Sequence, residues 1–182
     1  MTSSTLQQIF QAAAEAPREE VITEEVVMVK EATVENLVYK LVSYASFTYH
    51  LNTQAHLLHL NLETPLFLSV HKFLGKQYEQ HIADFDVLSE LVRSMDFLLP
   101  MCQKGLLGMC KEFKHVKSYD ATEGLTTYTK NLETAGLMGK EVVNMAREIG
   151  APDVENEVAT ILGHYFKSAW MLKATLRKGS AI

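Results

Sequence analysis

The chain has 182 residues, 47% of them hydrophobic and 21% charged, with a formal net charge of −5. That suits one domain with a full core, and no apolar run reaches the eighteen or so residues of a membrane span. Cys102 and Cys110 are the only cysteines, which argues against a disulfide scaffold. With no CxxC spacing, they read as small buried hydrophobes in a reducing cytoplasm.

The N-terminus, MTSSTLQQIFQAAAEAPREE, lacks a basic stretch followed by an apolar one, so no secretory signal is expected. Residues 1–32 read as an arm, because EEVITEEVVMVKEAT has no clean helical period. From Thr33, Val34, Leu37, Val38, Leu41, Val42 and Ala45 recur at helical steps. They predict a long helix over 34–60, ending before the Asn61–Glu63 loop. Thr64 as N-cap and Pro65 at the first helical position open a second helix. Leu66, Phe67, Val70, Phe73, Leu74, Tyr78, Ile82, Phe85 and Leu88 carry it to about residue 97, and Pro100 ends it.

Residues 100–120 are irregular, with room for one short helix in MCQKGLLGMCKEF. A third long helix is predicted over 122–149, stopped by Gly150. A fourth starts at Ala151-Pro152-Asp153, and its inner face holds Val158, Ile161, Leu162, Tyr165, Phe166, Ala169, Leu172 and Leu176. It runs to about residue 177, with Gly179 as its stop. Four long helices with a long second-to-third connection make an all-α four-helix bundle over 33–178, followed by a tail over 179–182.

His59 and His71 stand twelve residues apart, on either side of the turn between the first two helices. Asp86 and Glu90 follow on the second helix at i, i+4, so they share a face. Fifteen residues from His71 to Asp86 leave about 60° of net rotation, close to the same stripe. The rise of 1.5 Å per residue puts Asp86 about 22 Å and Glu90 about 28 Å from His71 along the axis. One chain cannot bring both ends to one ion, whereas two antiparallel copies of the helix could. Imidazole with carboxylate is a ligand set for iron, with zinc and manganese as competitors. Taken singly, the carboxylate pair also reads as solvated helix surface, and each histidine as a satisfied or surface residue.

The order His59-Leu-Asn61, Pro65-Leu-Phe67, His71, Asp86-Val-Leu-Ser-Glu90 resembles the Dps family, the DNA-binding proteins from starved cells, or mini-ferritins. The family's H-W-N stretch, second histidine and D-x-x-x-E follow at the same intervals. HYFKSAWMLKATL is similar to its closing helix. The resemblance covers roughly residues 33–178. It implies a ferritin-like bundle assembled into a twelve-subunit hollow shell. It also implies a ferroxidase centre across each two-fold interface, with His59 and His71 of one subunit facing Asp86 and Glu90 of its neighbour. Glu90 would bridge two ions. Fe(II) would be oxidised to Fe(III), in this family usually by hydrogen peroxide, and ferric mineral would collect inside.

The sequence departs from that pattern at two places. Gly75 stands where the family usually has Asp or Glu, so a carboxylate is missing about 40° round the helix from His71. The centre is then expected to hold one ion well and a second weakly, or to recruit another ligand. His56 and Glu79 are the candidates for that ligand, and both also read as ordinary polar residues. Leu60 replaces the family's Trp and removes an aromatic ring that could take up oxidising equivalents. His50, His81, His115 and His164 are given no role. Asp153, Glu155 and Glu157 are helped by a helix N-terminus, and the resemblance suggests pore residues near them.

The arm carries only Arg18 and Lys30 against six glutamates, and the C-terminal end offers little beyond Lys173, Arg177 and Lys178. Twelve chains would sum to a charge of about −60, which opposes phosphate. Weak or no DNA binding is expected, and no membrane association. The first reading is a cytoplasmic iron-oxidising and iron-storing mini-ferritin that protects against oxidative damage. The alternatives are a structural cage whose altered site binds another metal such as zinc, and a DNA-compacting shell.

Overall fold

The computed structural model describes residues 32–177. The expected arm, apart from Ala32, the tail over 179–182 and the Gly179 stop lie outside the described residues. The helices are α1 (Val34–Asn61), α2 (Phe67–Ser94), α3 (Gln103–Gly108), α4 (Ala121–Ile149) and α5 (Pro152–Leu176). The four long ones form an all-α bundle, with short α3 in the second-to-third connection. Among the described residues, no helix is long and apolar enough to cross a membrane.

Local chemistry sets most of the helix ends. Thr33 Oγ1 accepts the Asn36 amide at 3.2 Å at the start of α1, and Asp120 Oδ1 accepts the Glu123 amide at 2.7 Å at the start of α4. Each satisfies one of the unpaired amides of a helix N-terminus. Gly150 ends α4 at φ 74°, a left-handed conformation in which a side chain would be strained.

Both ends of α2 differ from expectation. Thr64 does not cap the helix. It opens a turn through Pro65, closed by the Phe67 amide on the Thr64 carbonyl at 2.9 Å. Proline suits the second position of such a turn, so the helix begins two residues late, without a side-chain cap. The far end stops at Ser94 rather than near 97, because Asp96 turns to φ 65°.

α1 packs along α2, α4 along α5, and α1 against α4, while α3 rests on α1. At the α4–α5 seam the backbones approach closely. A Cβ on Gly139 would stand 2.8 Å from Leu162 Cβ and 2.9 Å from Tyr44 Oη. The core holds Leu37, Leu41, Phe47, Leu74, Leu88 and Leu132, with three buried tyrosines, Tyr44, Tyr128 and Tyr165.

Three residues of the expected α2 stripe are not packed. Leu66, Phe67 and Ile82 are exposed, as are Leu57, Leu60 and Leu68 on the same hairpin. A stripe wider than one bundle can cover leaves its flank on the surface. The cysteines also depart from expectation. Cys102 is exposed and Cys110 only half-buried, and Cys102 Sγ accepts the Gly105 amide at the start of α3. Its position at a helix start, rather than its apolar character, explains its place.

Candidate metal centre

The short connection over 62–66 folds α2 back along α1. It brings His59, in the last turn of α1, against His71, near the start of α2. The two rings stack at 3.7 Å between centroids, with planes 20° apart. Each reaches the other's backbone: His59 Nδ1 lies 2.8 Å from the His71 carbonyl oxygen, and His71 Nδ1 lies 2.9 Å from the His59 carbonyl oxygen. The His59 carbonyl is among the last four of α1, which lack an intrahelical partner. The His71 ring supplies that partner.

This reciprocity fixes the donors. A carbonyl oxygen can only accept, so each Nδ1 carries a proton, and Nε2 is the nitrogen left to act as acceptor or ligand. An imidazole whose N–H is held by a carbonyl, with the other nitrogen free, is the usual arrangement of a metal-binding histidine. Both rings are half-buried, and among the described residues nothing hydrogen-bonds either Nε2.

The carboxylates lie elsewhere. Asp86 and Glu90 are exposed on α2, which runs unbroken from His71 past them, so the helical separations of about 22 Å and about 28 Å hold. Among the described residues, no three His, Cys, Asp or Glu side chains of one chain gather closely enough to hold an ion. Among those residues the histidine pair therefore stands without a carboxylate of its own chain beside it.

Gly75 lies beneath the His59 ring. A Cβ there would stand 3.5 Å from His59 Cε1 and 3.6 Å from Nδ1, which is ordinary contact. Neither the backbone nor close packing demands glycine at this position. His56 is exposed and stacks on Tyr78 at 4.3 Å, with its ring centroid 6.2 Å from that of His59. It forms a third imidazole on the same end of the hairpin. Glu79 is exposed on α2. Near the start of α5, Glu155 is tied to Arg147 at 2.6 Å, while Asp153 and Glu157 are exposed.

A second polar group lies in the bundle centre. His81 is 1% exposed, and its Nε2 is 2.6 Å from the Tyr128 hydroxyl. Burial lowers its pKa to about 3, so the ring stays neutral. One turn on, Asp84 is also buried. Burial raises its pKa, opposed by a hydrogen bond from Gln80 and by His164 and Tyr165. No sequence motif assigns His81 a role. The signal was available: His81 is seven residues from both Leu74 and Leu88, which places it on their buried stripe.

Residues 39–182 match the family profile described as a Ferritin-like domain. The chain belongs to the ferritin-like family. Among solved structures, this ferritin-like chain superposes on Dps from Staphylococcus aureus with a TM-score of 0.76 at 17% identity, covering 81% of this chain and 99% of that one. Dps from Thermosynechococcus elongatus gives 0.77 at 17%, covering 86% and 98%. A Dps protein from Vibrio cholerae O1, described as a member of a broad superfamily of ferritin-like diiron-carboxylate proteins, gives 0.73 at 17%, covering 79% and 90%. No curated protein sequence gives a significant match. The expected ferritin-like bundle is thus the observed fold, shared with Dps structures along nearly the whole length of the first two.

Proposed function

We propose that this chain is a Dps-type mini-ferritin of the cytoplasm. It oxidises Fe(II), with hydrogen peroxide as oxidant, at sites shared between two subunits. It stores the ferric product in a hollow twelve-subunit shell and so limits oxidative damage. The observation that carries this reading is the stacked histidine pair, in which each Nδ1 is held by a carbonyl and no carboxylate of the same chain, among the described residues, gathers beside the rings. Asp86 and Glu90 of the partner subunit complete the set when two α2 helices meet antiparallel. The exposed Leu57, Leu60, Phe67 and Leu68 on this hairpin supply apolar surface for that contact.

Two imidazoles and two carboxylates suit Fe(II) and hold the Fe(III) product through hard oxygen donors. Glycine at position 75 leaves the set one carboxylate short, so one ion is held firmly and a second weakly. Zinc fits the same donors, cannot be oxidised, and acts as an inhibitor. The formal charge of −5 per chain opposes a phosphate backbone, and DNA is not a partner at physiological salt.

Stopped-flow oxidation of Fe(II) by the purified assembly, with peroxide and with oxygen, tests the reading against a His59→Ala/Glu90→Ala control. Fast oxidation that disappears in the control supports it. A rate no faster than the control withdraws the ferroxidase and leaves a ferritin-like cage. Gly75→Asp should speed oxidation by restoring the carboxylate, and light scattering should give twelve subunits.

A further inference from the structure

The bundle interior holds a second group of oxygen and nitrogen atoms, away from the histidine pair. Asp84 is 3% exposed, and Tyr44 and Tyr165 are buried. Gln80 Nε2 donates to Asp84 Oδ1 at 2.8 Å, and the Tyr165 hydroxyl lies 3.2 Å from Thr48 Oγ1. Asp84 Oδ2 and the Tyr44 hydroxyl are buried and make no hydrogen bond among the described residues. Buried polar atoms are rarely left so, and an ion is one of the things that satisfies them.

Three helices bring these atoms together: Tyr44 stands on α1, Asp84 on α2, and His164 and Tyr165 on α5. The Tyr44 and Tyr165 rings meet edge to face at 6.1 Å between centroids. Burial raises the pKa of both phenols, Tyr44 adds to the rise at Tyr165, and the Asp84 charge adds to it at both. A charge felt at both hydroxyls places them near the carboxyl. His164 Nδ1 stands 4.0 Å from Asp84 Oδ1, and its side chain is 46% exposed. That separation is too long for a hydrogen bond and short enough for one ion between the two, with metal bonds of about 2 Å. His164 also links the group to the surface at the α2–α5 seam, where the helices touch less than α1 and α2 or α4 and α5 do.

We propose that Asp84, Tyr44, Tyr165 and His164 form a second iron site, which holds a single Fe(III) inside the bundle. It needs no partner subunit and does not rest on the oxidation proposed above. Charge selects the ion. A buried site is stable when its charges cancel. One carboxylate and two phenolates carry three negative charges, and a neutral imidazole adds none, so Fe(III) makes the site neutral. A divalent ion on the same donors leaves a negative charge uncompensated. Three oxygen donors also suit a hard trivalent ion. On binding, two phenolic O–H bonds break, their protons pass to solvent, and two Fe–O bonds form. No electron is transferred.

The test gives the full-length assembly Fe(III) as its nitrilotriacetate chelate, at one ion per chain, with no oxidant. A phenolate-to-Fe(III) charge-transfer band should appear in the visible. Resonance Raman excitation in that band should enhance tyrosinate ring modes, which should shift when the protein is labelled with ring-deuterated tyrosine. Tyr165→Phe and Tyr44→Phe should each weaken the band severalfold, and Asp84→Asn should lower Fe(III) affinity at least tenfold, with unchanged helical circular dichroism. His59→Ala/Glu90→Ala should keep the band, whatever it does to Fe(II) oxidation. The wild-type Raman spectrum needs no variant to fold, and a spectrum without tyrosinate modes overturns the proposal. So does a band undiminished in both tyrosine variants. A band lost in His59→Ala/Glu90→Ala also overturns it, because Tyr78 beside His59 would then be the phenolate. A retained band with no Fe(II) oxidation sustains this site and counts against the ferroxidase alone.

Discussion

His71 and His81 stand ten residues apart on α2 and have opposite chemistry. His71 is half-buried, with Nδ1 held by a carbonyl and Nε2 open. His81 is buried, with Nε2 held by a phenol and Nδ1 without a partner. The nitrogen that the fold satisfies, and the side of the helix on which the ring lies, decide whether an imidazole can serve a metal or belongs to the core. Burial alone separates them further, because it holds His81 neutral down to about pH 3.

The largest break in that comparison should come from truncating the buried ring. His81→Ala opens a cavity and leaves the Tyr128 hydroxyl unpaired, which costs about 3–5 kcal/mol. His59→Ala, at the half-buried pair, should cost roughly 1 kcal/mol while removing zinc binding. Urea midpoints beside titration calorimetry with zinc would separate the two effects. Equal losses of stability would erase the distinction between core and surface histidine.

The glycines repeat the contrast. Gly139→Ala drives a Cβ into Leu162 and Tyr44 and should destabilise by about 1–3 kcal/mol. A side chain at position 75 meets only ordinary contact. Gly75→Ala should therefore stabilise, by about 1 kcal/mol, which a rise in the thermal midpoint would show. A fall at position 75 would mean that glycine serves packing there after all.

Acid should act through His81. The unfolded ring takes up its proton near pH 6.5, the folded one only near 3. Between those values the unfolded chain binds more protons, so stability falls as pH drops, by up to about 1.4 kcal/mol per pH unit. Asp84 works in the other direction. Its carboxyl is raised by burial above 3.8, so its contribution is present below that pH and lost as pH rises through the folded value. His81→Phe should flatten the decline below pH 6.5 in a series of urea midpoints. An unchanged slope would assign the acid response to other groups. The smallest effect belongs to Cys102→Ser, since serine also caps a helix. The expected change is within about 0.5 kcal/mol, read from the same midpoints.

Much of this was legible in residue order. The apolar period marked all four long helices, Gly150 ended α4 where expected, and the interval from His71 to Asp86 and Glu90 already placed them far apart along α2. Three features were not. Thr64-Pro65 fits a cap and a turn equally well, and only the Phe67 amide chose the turn. Cys102 reads as a buried hydrophobe in residue order alone, because its capping role depends on a helix that begins beside it. The seven-residue spacing to Leu74 and Leu88 puts His81 on the buried stripe, but its partner Tyr128 lies 47 residues away, which no local pattern reveals.

The sequence by itself determined the helices, their order and the spacing of His71, Asp86 and Glu90 along α2, because periodicity and rise are local properties of the chain. Only the tertiary structure decided which nitrogen of each histidine is free. That choice depends on carbonyls and hydroxyls carried in by other helices, and a hydrogen bond over a few ångströms is fixed only once those helices have packed.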